Sequence, residues 1–202
     1  MSVIDGMLAG MTKKRDSNSH DEREALLAFL HDQREALRRT AYGLTDEEAA
    51  LVPSASALSL AGLLHHAAAV EANWAGILQV TGTPNGPAEQ VASFQPGGSS
   101  LEELLADYRR AAEATDAAFL ALADLDHLTP VPSGVPWFPK DIDSWTARWI
   151  LVHLIQETAR HAGHADIIRE TLDGAQALEL KAAAEGRPET DFVKPWRRPA
   201  QD

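Results

Sequence analysis

Residues 145–172 read WTARWILVHLIQETARHAGHADIIRETL and form one long helical pattern. Consecutive residues of an α-helix project about 100° apart, so each side chain can be assigned to a face. The face that we predict to be exposed to solvent carries Arg148, Asp166, Arg169 and Glu170. A second polar set lies among branched aliphatic residues and is predicted to point inward; it comprises His153, Glu157, His161 and His164.

The inward set needs a partner, because burying a carboxylate or an imidazole is costly when nothing pairs with it. One interpretation is a hydrogen-bonded network of neutral histidines around the Glu157 carboxylate. The other is a metal site, since Glu157 and His161 are four residues apart and project side by side toward a shared cation. The spacing alone leaves both interpretations open.

Three further helical segments precede this one and give the chain a simple organisation. Together with the fourth, the predicted helices cover residues 21–44, 59–80, 99–125 and 145–172. The side chains expected to cap helix starts are Thr45 with Glu48, Ser99 or Ser100, and Asp143 or Ser144. The fourth helix is expected to end at Asp173-Gly174.

These segments predict an all-α protein built as a four-helix bundle, because no stretch alternates apolar and polar residues as a strand does. Residues 175–186 predict a short extra C-terminal helix. We expect the bundle to span residues 21–185, between a flexible N-terminal segment at 1–20 and a C-terminal tail at 186–202. The long connections between the helices leave room for a non-sequential helix order.

The composition narrows the range of partners. The chain has 202 residues, a formal net charge of -12 and no cysteine. The negative charge disfavours nucleic-acid binding, and no apolar run reaches the roughly 20 residues of a membrane-spanning helix. The basic clusters at 13–15 and 194–199 lie in tail-like sequence, where they serve solubility. We therefore expect a cytoplasmic protein with a small-molecule substrate and no nucleic-acid or membrane partner.

The second helical segment carries one candidate that reaches the interior. Its apolar stripe includes Leu63 and Trp74, and His66 lies on the shoulder of that stripe, whereas His65 projects toward water. With Glu157 and His161, His66 would complete a set of two histidines and one carboxylate. Such a set leaves coordination positions open, as catalytic zinc sites do, and it also suits iron(II) or nickel(II).

Beyond these patterns, the fourth segment, AGLLHHAAAVEANW at residues 61–74 and LLAFLHDQREALRRTAYGLTDEEA at residues 26–49 resemble the DinB-like superfamily. The resemblance covers about residues 22–180 and is closest to the branch that resembles the mycothiol-dependent maleylpyruvate isomerase N-terminal domain. It implies a bundle with up-down-down-up topology that forms a homodimer. It also implies a divalent metal, zinc first and nickel or iron as alternatives, held by His66, Glu157 and His161.

The resemblance assigns no ligand role to the other polar residues nearby. We expect His164 to hydrogen-bond beside the ligands, and we expect a substrate pocket lined by His153, Trp74 and Trp149. Arg160, next to His161, is a candidate for holding an anionic group. The remaining histidines, His20, His31 and His127, are interpreted as surface residues.

Three functions fit this set of expectations. The first is a metal-dependent thiol transferase that uses a low-molecular-weight thiol such as mycothiol on an electrophilic small molecule. The thiol has to come from the co-substrate, because the chain has no cysteine. The second is a metal-dependent hydrolase with the same ligands. The third is a bundle without catalytic turnover that binds a metal or ligand in a stress response.

Overall fold

The computed structural model describes residues 21–81 and 84–198, so the predicted flexible segment at 1–20 lies outside the described residues. Seven helices occur within these ranges, and four of them are long enough to build a bundle. In chain order they are α1 (Glu22–Arg39), α2 (Asp46–Ala50), α3 (Leu60–Leu78), α4 (Pro87–Ala92), α5 (Leu101–Leu120), α6 (Ala147–Asp173) and α7 (Ala177–Ala184). The long helices α1, α3, α5 and α6 match the four predicted segments, and α7 is the predicted short C-terminal helix.

Contacts between helix ends give the directions of α1 and α6. Arg148, at the start of α6, donates from Nε to Oε1 of Glu22, at the start of α1, over 2.7 Å. Near the other ends, Arg169 of α6 donates from Nη1 to the carbonyl oxygen of Thr40, just beyond α1, over 2.5 Å. The first and last long helices therefore run parallel.

The two middle helices run the opposite way. Trp74, late in α3, packs against Trp145, which lies just before the start of α6, with ring centroids 5.3 Å apart. Late in α5, the Thr115 hydroxyl donates to the carbonyl oxygen of Glu71, late in α3, over 3.3 Å. Helices α3 and α5 are thus parallel to each other and antiparallel to α6. The predicted up-down-down-up topology of an all-α bundle is confirmed.

Helix starts follow the capping side chains in the sequence. Thr45 and Glu48 form the predicted capping box, and Ser100 forms another with Glu103 at the start of α5. Gly174 adopts φ 76° at the end of α6, a left-handed conformation that favours glycine. The prediction that Asp143 or Ser144 caps α6 is wrong, because Thr146 accepts the backbone N–H of Trp149 instead.

The start of α6 is later than predicted because a strand precedes it. Strand β1 (Leu128–Pro130) pairs antiparallel with β2 (Ser144–Thr146), and Thr129 lies opposite Trp145. The expectation that the chain contains no strand is therefore wrong. Segments of three residues are too short to leave an alternating pattern in the sequence. This ribbon joins the two ends of a long connection and positions Trp145.

The interior consists of two apolar clusters with polar side chains between them. One cluster lies toward the C-terminal end of α6, around Leu64, and the other lies toward its N-terminal end, around Leu154. Between them the buried Arg34 guanidinium of α1 donates to both carboxylate oxygens of Glu71, at 2.6 and 2.8 Å. Asp116 accepts a further bond from Arg34 at 2.8 Å. The ion pairs balance the charge of a group that is costly to bury alone.

The assignment of Arg169 to the solvent face is wrong. Its side chain is fully buried, because its guanidinium reaches the carbonyl oxygens of Thr40 and Tyr42 and also pairs with the Asp173 carboxylate. The indole ring of Trp196 covers the guanidinium, with 4.8 Å between Cζ and the ring centroid. Hydrogen bonds to residues remote in sequence, together with the nearby Asp173, therefore stabilise in the interior a charge that helical periodicity alone assigns to the surface. None of the helices in the two described ranges combines the length and apolar character needed to cross a bilayer.

Candidate metal centre

Three side chains from α3 and α6 converge between the two apolar clusters. One ligand atom from each of His66, Glu157 and His161 lies within 4.8 Å of the others. The Oε1 atom of Glu157 is 3.1 Å from Nε2 of His161 and 3.6 Å from Nε2 of His66. Both imidazoles are buried, whereas the carboxylate is partly open to solvent. We call these three residues the triad.

The orientation of His66 is set by a hydroxyl group. Ser93, just after α4, donates its hydroxyl proton to the carbonyl oxygen of Gln90 over 2.7 Å. The same hydroxyl oxygen lies 2.8 Å from Nδ1 of His66. A hydroxyl has one proton, so Ser93 must accept at this contact and the Nδ1 of His66 must carry a hydrogen. In a neutral imidazole the lone pair is then on Nε2, which faces the triad.

The surroundings of this lone pair indicate whether the triad is suited to bind a cation. The Nε2 atom of His66 is buried, and it makes no hydrogen bond with any atom of the described chain. At 3.6 Å it faces Oε1 of Glu157, another acceptor. A buried acceptor that faces a carboxylate needs a positive charge, which is either a second proton on His66 or a metal ion. Two imidazole nitrogens and a carboxylate are a ligand set for zinc, iron(II) or nickel(II), so the residues fit the metal.

The second nitrogen of His161 also has a neighbour. Its Nδ1 atom lies 3.5 Å from Nδ1 of His164, one turn later. His164 is exposed, so the prediction that it points inward is wrong, because its side chain projects about 60° away from that of His161. The hydrogen bond from His161, followed by the contact with His66, holds the pKa of the Glu157 carboxyl well below its usual value, although burial opposes this. Glu157 is therefore a carboxylate at neutral pH and is available to a cation.

The segment after α4 packs against the triad through an aromatic ring. Phe94 stacks on the His66 imidazole, with centroids 3.8 Å apart and an angle of 13° between the planes. This close packing depends on Gly62 in α3, because a Cβ atom there would overlap the carbonyl oxygen of Phe94. A glycine in the helix thus lets Ser93 and Phe94 approach His66.

A ladder of rings leads from the start of α6 to the triad. Trp145 and Trp149 are parallel, with centroids 5.1 Å apart, and Trp149 is parallel to His153 at 5.2 Å. Trp149, His153, Glu157 and His161 are each four residues apart, so each lies one turn beyond the last along α6, and Trp145 precedes them in β2. Trp74 of α3 packs across the ladder, 4.7 Å from the ring of His153.

The ladder forms one wall of an open cleft of about 360 Å³ that ends at Glu157. We call it the aromatic cleft; its rings belong to Trp74, Trp137, Phe138, Trp145, Trp149 and His153. Amide side chains of Asn73, Asn85 and Gln90 also line it. His153 is half-buried there, and desolvation lowers the pKa of its imidazole despite the opposing effect of Glu157.

The remaining arginine and histidine candidates from the sequence lie outside the triad and the aromatic cleft. Arg160 is exposed and is absent from the lining of the cleft, because it projects about 100° away from His161. His65 is only partly exposed, and its Nδ1 lies 2.5 Å from the carbonyl oxygen of Gln95. His127 is exposed and His31 is partly exposed, whereas His20 lies outside the described residues.

Sequence reasoning missed Ser93 and Phe94, which contact His66, and it did not place Trp137 or Phe138 in a pocket. Both pairs lie in connections that were interpreted as loops. One signal was available: Pro87 follows Gly86 and begins α4, and proline is common at the first position of a helix. No comparable signal indicates that the long connection before α6 folds over the cleft.

The fold and the triad define a DinB-like four-helix bundle with a possible metal-ligand set in its interior. The sequence profile of the mycothiol S-transferase family matches residues 25–174, so the chain belongs to that family. The predicted DinB-like, mycothiol-related membership is confirmed. A crystal structure of a conserved protein from Enterococcus faecalis is similar, with a TM-score of 0.60 and 16% identity. The similarity covers 78% of this chain and all of that one, and at this identity it establishes the fold alone. Among curated proteins, no significant match is found.

Proposed function

We propose that the protein is a metal-dependent thiol S-transferase that joins mycothiol, or a similar small thiol, to an electrophilic small molecule. The observation that carries this proposal is the buried lone pair of His66, which faces Glu157 at the end of the aromatic cleft. Membership of the mycothiol S-transferase family supports the choice of thiol. Zinc is the metal that we propose first, with nickel or iron as alternatives.

In this proposal His66, Glu157 and His161 hold the cation, and Ser93 keeps the Nε2 lone pair of His66 directed at it. The metal supplies one piece of chemistry, since it lowers the pKa of a bound thiol so that the thiolate forms near neutral pH. The sulfur comes from the co-substrate, because the chain contains no cysteine. His164 supports His161 through the contact between their Nδ1 atoms.

The cleft residues position the acceptor and receive a proton. The aromatic rings exclude water from one side of the triad and bind the apolar part of the acceptor. The sulfur forms a bond to the electrophilic carbon, whose leaving group departs with the electron pair of the broken bond. The thiol proton passes to solvent or to His153, whose lowered pKa keeps the imidazole neutral at pH 7.

We also propose a cytoplasmic location, because a low-molecular-weight thiol co-substrate has to remain reduced and the cytoplasm maintains reduced thiols. The acceptor is a small molecule, since the cleft of about 360 Å³ has the size of an ordinary ligand site. A homodimer remains a prediction from the resemblance alone.

Formation of a thiol adduct tests the function. Zinc-loaded protein is incubated with mycothiol and chlorodinitrobenzene, and the S-dinitrophenyl adduct and released chloride are measured against the uncatalysed rate. We expect catalysis that requires thiol and is lost in His161→Ala but kept in His127→Ala. His127→Ala is the control, because His127 is exposed and lies outside the triad.

The same assay separates the rival functions. Turnover of ester or amide compounds without thiol would instead indicate a hydrolase. Binding of metal with no thiol-dependent turnover across haloaromatic, enone and epoxide acceptors would indicate a binding protein. Either result contradicts the transferase.

A further inference from the structure

The aromatic cleft has an unusual balance of charge for a site beside a metal-ligand set. Among the described residues that line it, His153 and Glu157 alone titrate near neutral pH or below. Neither lysine nor arginine occurs among the described residues that line it, so no side chain there can pair with a carboxylate or a phosphate. Burial lowers the pKa of His153, which removes the remaining source of positive charge at pH 7.

A bound cation does not reverse this balance. A divalent ion held by the triad would carry two positive charges, of which the Glu157 carboxylate would offset one and the thiolate of the co-substrate the other. The protein as a whole has a formal net charge of -12, so long-range attraction of anions is also absent. An acceptor with its own negative charge would therefore be desolvated in the cleft without a partner, which is costly.

The cleft walls suit a flat ring. Trp149 and Trp137 are about half exposed, with 44% and 50% of their surfaces open, although large aromatic side chains are ordinarily buried. Both line the cleft, so their rings are available to pack against a ligand. Aromatic faces pack favourably against other planar rings in offset or edge-to-face geometry.

A polar donor in the same wall lacks a partner. Trp145 is 4% exposed, and within the described chain no atom accepts a hydrogen bond from its Nε1–H. That nitrogen has no exposed surface, so a ligand in the cleft does not reach it. The hydrogen-bonding groups that line the cleft include the amide side chains of Asn73, Asn85 and Gln90, and the Asn73 side chain already accepts the Asn85 backbone N–H at 2.9 Å. Six of the twelve described lining residues carry aromatic rings, so ring contacts are the main interaction open to a ligand.

We infer that the aromatic cleft binds an uncharged, planar aromatic electrophile, and that it discriminates against anionic acceptors. The inference rests on the proposed function in treating this ligand as the acceptor of the thiol. The Trp149 ring stacks with the ligand, and the reacting carbon lies toward Glu157.

Binding of two unreactive nitroaromatics tests this inference without requiring turnover. Dinitrobenzene and dinitrobenzoate share ring and nitro groups and differ by one carboxylate. Each is titrated by calorimetry at pH 7.5 into the full-length, zinc-loaded protein saturated with mycothiol, so that the thiolate balances the charge of the cation. We expect dinitrobenzene to bind about tenfold more tightly or better, because the carboxylate has no partner in the cleft. Equal affinities, or tighter binding of dinitrobenzoate, would overturn the inference.

Variants locate the binding. Trp149→Ala should weaken dinitrobenzene binding by about tenfold through lost ring contact, whereas Phe192→Ala, which removes a ring that is 96% exposed outside the cleft, should leave it unchanged. Unchanged affinity in Trp149→Ala would place the ligand elsewhere and contradict the proposal.

Competition separates the failure of this inference from the failure of the proposed function. If mycothiol alone displaces dinitrobenzene, the cleft belongs to the thiol and the inference is overturned. If dinitrobenzene binds selectively and is not displaced, the inference stands. If protein that binds dinitrobenzene in this way forms no thiol adduct, the proposed transferase function is refuted. The assignment of the cleft as a site for uncharged aromatic compounds then still stands.

Discussion

The Nε2 atom of His66 and the Oε1 atom of Glu157 lie 3.6 Å apart, and both are acceptors while Ser93 keeps the hydrogen of His66 on Nδ1. They belong to helices that run antiparallel, so only the folded bundle brings them together. The contact demands a positive charge between them. That charge is either a second proton on His66 or a metal ion, and both differ from a network of neutral histidines, in which every buried nitrogen has a hydrogen-bond partner.

Ser93→Ala should weaken metal binding. The substitution removes the acceptor that orients His66, and loss of such a supporting hydrogen bond typically lowers metal affinity by about 10- to 100-fold. The zinc dissociation constant, measured by competition with a chromogenic chelator, checks this. Ser99→Ala is the matched control, because Ser99 is exposed and should leave the constant unchanged. Equal affinity in the two variants would contradict the role of Ser93.

Gly62→Ala should lower both stability and metal affinity. Alanine is intrinsically better than glycine inside a helix by about 1 kcal/mol, but here its Cβ would collide with the Phe94 carbonyl oxygen. Phe94 and Ser93 must then move away from His66. Gly163→Ala is the control, since that helical glycine has no atom within 4 Å of an added Cβ and should gain about 0.5–1 kcal/mol. Urea unfolding measures both changes, and a stabilised Gly62→Ala with normal zinc affinity would refute the packing argument.

Glu71→Gln should destabilise the fold without removing the metal. It takes the charge from the main partner of the buried Arg34, and breaking a buried ion pair from one side costs about 3 kcal/mol. Exposed Glu113→Gln should change the unfolding free energy by less than about 0.5 kcal/mol. Zinc content should stay normal in both, because neither residue belongs to the triad. Loss of zinc from folded Glu71→Gln would show that the ligand set is misassigned.

Asp166→Asn should stabilise the protein in a pH-dependent way. Burial, and next the charge of Glu170, raises the pKa of Asp166 from its ordinary 3.8 to about 6. Folding therefore favours the protonated carboxyl, a contribution that is complete below about pH 4 and is lost as the pH rises through 6. Asp166 is partly exposed, so we discount the effect and expect Asn to add about 1 kcal/mol at pH 7.5 and nothing at pH 4. A gain that is the same at both pH values would contradict this assignment.

Helical periodicity predicted most of the fold. It placed the four long helices, and the capping patterns identified the start of α2 at Thr45 and one of two candidate serines at the start of α5. The order of helix directions came from the resemblance, because spacing within a helix says nothing about the direction of its neighbours. The assignment of Arg169 failed because its partners, Thr40 and Tyr42, are remote in sequence and satisfy its charge in the interior.

The candidate site was predictable only where it lies on helices. Glu157 and His161 share a face through their spacing of four residues, and His66 lies on the shoulder of an apolar stripe. Ser93 could not be found in this way, because its contact with His66 depends on a loop that passes close to Gly62. The cleft was only partly foreseen, since Trp137 and Phe138 come from a connection without a periodic pattern.

The metal content of untagged protein, purified without added ions, tests the central claim that the triad binds a divalent cation. Elemental analysis of the native chain and of His66→Ala, with His127→Ala as the control, provides the comparison. We predict about one equivalent of divalent metal per chain in the native protein and in His127→Ala, and essentially none in His66→Ala. A native protein that folds without metal and does not take up zinc, nickel or iron at micromolar concentration would contradict the account.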